Sequence, residues 1–193
     1  MRFPILIAAF LLLAAVDHLL MAAPGTVKWY EANLRKGINK ARWIEYSISA
    51  SLMVVLIAML TGITNLYAII GLFAVNAAMI LFGWLMESMN SPTEPVKWTP
   101  FVFGCVVGAV PWITIAIAFA NSQGEGDGVP GFVYGIFFSL FLLFGCFAVI
   151  QFLQYRRKGK FADYLYGERA YLIVSLVAKS ALAWQVFAGT LAS

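Results

Sequence analysis

Residues 170–191 read AYLIVSLVAKSALAWQVFAGTL, an apolar run in which Lys179 is the only charged side chain. As a helix, a run of this length crosses the hydrocarbon core of a bilayer, which takes about 20 residues. Moving toward the N-terminus, five more runs meet the same requirement: Val129–Leu153, Thr99–Ala120, Leu66–Met86, Trp43–Thr61 and Phe3–Ala23. The sequence therefore predicts an all-α membrane protein, one helix-bundle domain over residues 1–193 with six transmembrane spans. No repeat of roughly 20 to 50 residues appears, so the expected shape is a bundle and not a solenoid.

Composition agrees. Of 193 residues, 62% are hydrophobic, 16% aromatic and 11% charged, whereas a soluble domain carries about 25% charged residues and a disordered chain has low hydrophobicity. The net charge of +4 resides in loops between apolar runs. That argues against a nucleic-acid partner and for membrane lipid. Cys105 and Cys146 lie inside apolar runs with no CxxC pair, and the chain has one histidine, so neither a zinc site nor a disulfide framework is expected. Arg2 precedes the first run, but no small-residue cleavage site follows it, so this run reads as a retained span and not a signal peptide.

The connections are a 19-residue basic loop, a turn at Gly62–Asn65, a loop near Pro92 and Pro95, a Gly-rich acidic loop at Gln123–Gly128, and a basic stretch at Tyr155–Lys160. Glu125-Gly126-Asp127 is too short for a helix–loop–helix calcium site. Lys28, Arg35, Lys36, Lys40, Arg42, Lys97, Arg156, Arg157, Lys158 and Lys160 share one face, against Arg2 on the other. Positive residues stay inside. The basic loops are therefore expected to be cytoplasmic in the cell membrane, with both termini external. Arg156–Lys160 reads as an anionic-lipid contact or the dock of a cytoplasmic partner.

Ionisable residues within spans are costly and mark function. Asp17 and His18 lie late in the first run, Glu45 early in the second and Lys179 in the last, while Glu87 falls at a span end within reach of headgroups and is set aside. Ser175 precedes Lys179 by one helical turn; Arg42 and Ser49 share the Glu45 face at i−3 and i+4. An amine withdrawn from water favours its neutral form, the form that attacks an aldehyde. A mid-membrane amine and a carboxylate suit a Schiff base and its counterion; the alternative is a buried ion pair that locks two helices.

Ser175-Leu176-Val177-Ala178-Lys179-Ser180-Ala181-Leu182-Ala183-Trp184-Gln185, taken with Arg42-Trp43-Ile44-Glu45-Tyr46-Ser47, resembles the heliorhodopsins, a branch of the retinal-binding seven-helix proteins. The resemblance implies that the six spans are helices two to seven of a seven-helix rhodopsin fold. The family's first helix, the external loop after it and a second cavity histidine have no counterpart here. It further implies all-trans retinal on Lys179 as a Schiff base, Glu45 as counterion, and Ser175 and Ser49 hydrogen-bonded around them. Asn76, Met79, Phe144 and Trp184 match pocket positions, and His18, Asn39, Tyr46 and Gln151 match a polar network. The implied topology is inverted, with an external C-terminus.

The function implied is a light receptor that photoisomerises and signals, through a cytoplasmic partner, without net ion transport. A light-driven pump or channel on the same scaffold is the first alternative. A non-photochemical transporter or assembly subunit using Glu45 and Lys179 as a pair is the second. No Ser–His–Asp, Cys–His or metal-ligand constellation is present, which argues against an enzyme. Phe137, Phe138, Phe141 and Phe144 suit a polyene pocket or a plain core. Gly104 with Gly108 and Gly131 with Gly135 have GxxxG spacing, which suits close packing within the chain or in a homodimer.

Overall fold

The computed structural model describes residues 3–90, 94–122 and 129–192. Arg2, Pro92 and the Gln123–Gly128 loop lie outside the described residues. The helices are α1 (Phe3–Ala22), α2 (Val27–Arg35), α3 (Lys40–Leu60), α4 (Leu66–Met89), α5 (Thr99–Asn121), α6 (Gly131–Arg156) and α7 (Tyr164–Ala192), with a 3₁₀ turn at Gly159–Ala162 before α7. All but α2 are long and apolar enough to span a membrane. The chain is an integral membrane helix bundle.

Two differences from the sequence reading bear on function. The basic loop contains α2, a helix too short for the spanning criterion. The spans also extend past their apolar runs: α3 begins at Lys40, α4 reaches Met89 and α7 starts at Tyr164. Side-chain caps open α3 and α4. Asn39 Oδ1 accepts from Arg42 N at 3.1 Å to open α3, and Asn65 Oδ1 accepts from Tyr67 N and Ala68 N to open α4; both satisfy helix N–H groups that have no partner within the helix.

α3 is the axis of the bundle. Of its apolar stretch 61% is buried, against 28% or less for any other span. It packs on α1 and α4 and contacts α5 and α6. Its far half, Met53 to Ala58, is sealed in a core with Leu6 and Phe10 of α1, Ile115 of α5, Leu140 of α6 and Leu182 of α7. Gly104 and Gly108 bring α5 against α4, since a Cβ at Gly108 would meet Met79 at 2.8 Å and one at Gly104 would meet Phe82 at 3.3 Å. Gly131 and Gly135 face open space.

The other half of α3 is fixed by charge. Arg42, counted above as a loop cation, is buried at 3% exposure. Its Nη2 donates to Glu87 Oε1 of α4 at 2.6 Å and to Glu168 Oε1 of α7 at 2.8 Å, and its Nε donates to Glu168 Oε2 at 3.1 Å. Glu87 does not reach headgroups: its side chain is fully buried, and its Oε2 accepts from Asn39 N at 3.0 Å and Trp43 Nε1 at 2.6 Å. The Arg42 guanidinium also lies 4.0 Å from the ring centroids of Trp43 and Tyr171. Three helices thus meet on one cation.

Removing one partner of a buried ion cluster strands the others, at about 3–5 kcal/mol. Arg42→Ala is expected to lower unfolding stability by about that amount, read by denaturant titration in micelles. Adding Glu87→Gln and Glu168→Gln to an Arg42→Met background should recover much of the loss. An Arg42→Ala protein as stable as the parent would show that the cluster does not hold the helices.

Candidate functional site

Lys179 lies midway along α7. Helical side chains lean toward the helix N-terminus, so its stem runs back past Ser175, whose Oγ accepts from Nζ at 2.8 Å. Nζ then meets α3, 3.1 Å from Glu45 Oε1 and 3.3 Å from Oε2. The two residues are 5% and 3% exposed. Such a pair endures away from water only when each charge has the other and further polar partners. Here those partners are Ser175 and the ring of Tyr46, 5.0 Å from Nζ.

The pair sits between two cavities of opposite character. On one side an apolar cavity of about 760 Å³ is lined by residues of α3, α4, α5, α6 and α7, with Lys179, Ser175, Ser49, Tyr46 and Gln151 among its few polar members. Aromatic rings shape its wall: Trp112 meets Phe137, Phe141 and Phe144 edge-on at 5.9, 5.4 and 5.3 Å, and Phe147 meets Tyr46 at 5.6 Å. On the other side a cavity of about 310 Å³ is lined by Asp17, His18, Tyr30, Asn39, Arg42 and Glu45 among others. Burial pushes the phenol of Tyr30, on α2 outside the spans, above its ordinary range, so it meets this cavity as a neutral hydroxyl.

The residues singled out from sequence are distributed as follows. Ser49, Met79, Phe144, Gln151 and Tyr46 join Lys179, Glu45's partner, on the larger cavity; Gln151 Nε2 also donates to Gly83 O at 3.2 Å, and Tyr46 Oη to Tyr171 O at 3.1 Å. Phe137, Phe138 and Phe141 line it too. Asn76 is fully buried behind that wall, donating from Nδ2 to Ser51 Oγ at 3.0 Å. Asn39 belongs to the Arg42 cluster, where its Nδ2 donates to Glu168 Oε2 at 2.7 Å. His18 lies on the smaller cavity, its Nδ1 2.7 Å from Ala14 O and 4.0 Å from Asp17 Oδ2. Trp184 is not brought to either cavity: it is 69% exposed and packs on Phe187.

Sequence reasoning missed Glu168 and the pairing of Arg42 with Glu87. A signal existed in helical spacing. Glu168, Ser175 and Lys179 stand at i, i+7 and i+11, as do Asn76, Gly83 and Glu87, and positions so spaced share a helix face. Extending each polar face one turn past its apolar run finds both acids.

The heliorhodopsin family model matches residues 1–191. A search of curated proteins gives no match to the chain. Because the family match spans the two helices that carry the ion pair and every helix that walls the larger cavity, the chain belongs to the heliorhodopsins, retinal-binding, light-sensing membrane proteins of the rhodopsin type.

Proposed function

We propose that the chain is a light receptor in which Lys179 carries all-trans retinal, Glu45 is the counterion, and light is converted to a signal without net ion transport. The observation that carries this reading is the Lys179 amine, 3.1 Å from Glu45 on the wall of an apolar cavity of about 760 Å³. The residues present fit such a group. Ser49 Oγ, fully buried on the same wall, has no hydrogen-bond partner, and apart from Gln151 and the groups around Lys179 the lining is apolar and aromatic, as a polyene requires. When bound as a protonated Schiff base, retinal supplies light absorption and a change of shape.

The protein's own groups then have distinct tasks. Lys179 provides the attachment nitrogen. Glu45 balances positive charge there, Ser175 holds the nitrogen in place, and Ser49 offers a hydroxyl. Trp112 and the α6 phenylalanines exclude water, which strengthens the Glu45 interaction. Proton movement from the pair is favoured toward Asp17 and His18, through the smaller cavity that Glu45 itself lines. In the opposite direction α3 offers only Leu52 to Leu60, none of them ionisable, embedded in the apolar core. Among the described residues, no acidic or basic side chain stands at that end of the bundle. Protons that leave and return on one side produce no net transport. With this reading go basic loops on the cytoplasmic side of the cell membrane, an external C-terminus, a homodimer and a cytoplasmic signalling partner.

Three measurements test the reading. Purified protein given all-trans retinal should develop a visible absorption band, and Lys179→Ala should leave only the near-ultraviolet absorption of free retinal; a band retained in the variant places the attachment elsewhere. Without any band in the parent, the ion pair is a structural lock or a proton-coupled pair of a transporter or assembly subunit.

Colour tests the counterion. A carboxylate near the attached nitrogen stabilises the ground state more than an excited state whose charge moves along the polyene. Glu45→Gln should therefore shift the band to longer wavelength. No shift, or the same shift from Asp17→Asn, removes Glu45 from that role.

Light-driven flux separates a receptor from a pump or channel. In oriented proteoliposomes, illumination should give a transient pH change and no steady current. A sustained photocurrent, or steady proton flux collapsed by an uncoupler, would establish transport.

A further inference from the structure

The short helix α2 has two faces. Val27, Tyr30, Asn33 and Leu34 turn inward. Val27 and Tyr30 line the smaller cavity, and Tyr30 Oη accepts from Asn39 Nδ2 at 3.3 Å. At 100° per residue the opposite face gathers Lys28, Trp29, Ala32 and Arg35, with Lys36 just beyond, all exposed. Trp29 is 46% exposed. Glu31 lies at the edge of this face, 3.9 Å from Arg35.

Position adds the second observation. α2 joins the end of α1 to the start of α3, two helices that span the membrane, and its nine residues cover only about 14 Å at 1.5 Å per residue. It therefore lies at the boundary where those spans leave the apolar layer. Arg156, which ends α6, and Lys158 and Lys160 beyond it are exposed at the same end of the bundle. An indole among outward cations at that depth has the chemistry of an interfacial helix. An acidic soluble partner would answer the cations and leave the indole unexplained; a headgroup layer answers both.

We infer that α2 is a membrane-seated wall, held on anionic phospholipid headgroups by Lys28, Trp29, Arg35 and Lys36, and that this seating steadies the side of the polar cavity leading to Glu45. Tyr30 is the link, since it faces that cavity from the same helix and bonds Asn39 of the Arg42 cluster. The inference uses no property of retinal.

Amide hydrogen exchange on the whole chain tests it, in vesicles of phosphatidylcholine alone and of phosphatidylcholine mixed with phosphatidylglycerol. Amides of residues 27–36 should exchange about tenfold or more slowly in the anionic vesicles, because each basic residue near such a surface is drawn to it. The triple variant Lys28→Gln, Arg35→Gln, Lys36→Gln should lose that lipid dependence, while α3 amides, read in the same spectra, report that the bundle is intact. Trp29→Ala should raise exchange in both vesicle types. Equal exchange of the parent in the two lipids overturns the inference, as does lipid dependence that survives in the triple variant. Slowing by an added polyanionic peptide but not by anionic lipid would assign the face to a soluble partner instead. Protection that follows the lipid in protein that forms no pigment would uphold this inference while the light-receptor reading fails.

Discussion

A bilayer interior gives a charged side chain no water to lean on, so every ion that this bundle places there dictates where a neighbouring helix must stand. Lys179 requires Glu45, and that fixes α7 against α3. Arg42, one turn earlier on α3, draws Glu87 from α4 and Glu168 from α7. Three ion pairs, all anchored on α3, thereby set the spacing of three helices, and the apolar cavity is the volume that this spacing leaves among them and α5 and α6. The burial of α3 follows from the same arrangement, because a helix that carries both charges has to be surrounded by the groups that answer them.

Along its length α3 changes character once. From Asn39 to Ser49 it meets carboxylates, hydroxyls and a polar cavity; from Met53 to Ala58 it lies in a core with apolar side chains from five other helices. Hydrogen-bonded polar networks in low dielectric are rigid when complete and costly when they are not, whereas aliphatic packing is non-directional. A disturbance at the Lys179–Glu45 pair therefore meets specific partners in one direction and unspecific ones in the other. That asymmetry underlies the expectation of a one-sided proton path, and it needs no sidedness assignment to hold.

The sequence made the spans and the ion pair legible because both rest on strong, simple costs. Twenty apolar residues have few alternatives to a membrane helix, and a lysine in the middle of such a run is conspicuous. What stayed hidden lay at the run ends. Glu168 precedes the apolar stretch of α7 and falls outside the run; Glu87 stands close enough to its run end to suggest headgroups; Arg42 falls among the loop cations. Each is a helical residue whose partner is on another helix, information that a single chain of letters carries only as face periodicity. α2 escaped for a different reason, since a nine-residue helix fails a spanning criterion and can be recognised only by its two-faced pattern. Trp184, five residues after Lys179, stands about 140° from it around the helix, so face periodicity already separates the two, and its ring lies on the outer surface of α7.

Trp43 gives the arrangement one more property. Its ring fills the place where a side chain at Gly83 would begin, forms part of the larger cavity's wall, stacks under the Arg42 guanidinium and donates from Nε1 to Glu87. Wall and ionic cluster thus share a single rigid plate. Tilting the plate into or out of the cavity pulls on a 2.6 Å hydrogen bond at its opposite edge, so the shape of whatever fills the cavity and the geometry of the cluster are not separate degrees of freedom. Mechanically the indole is a lever whose fulcrum is the bare backbone of Gly83, and its short arm ends among the charges at the mouth of the bundle.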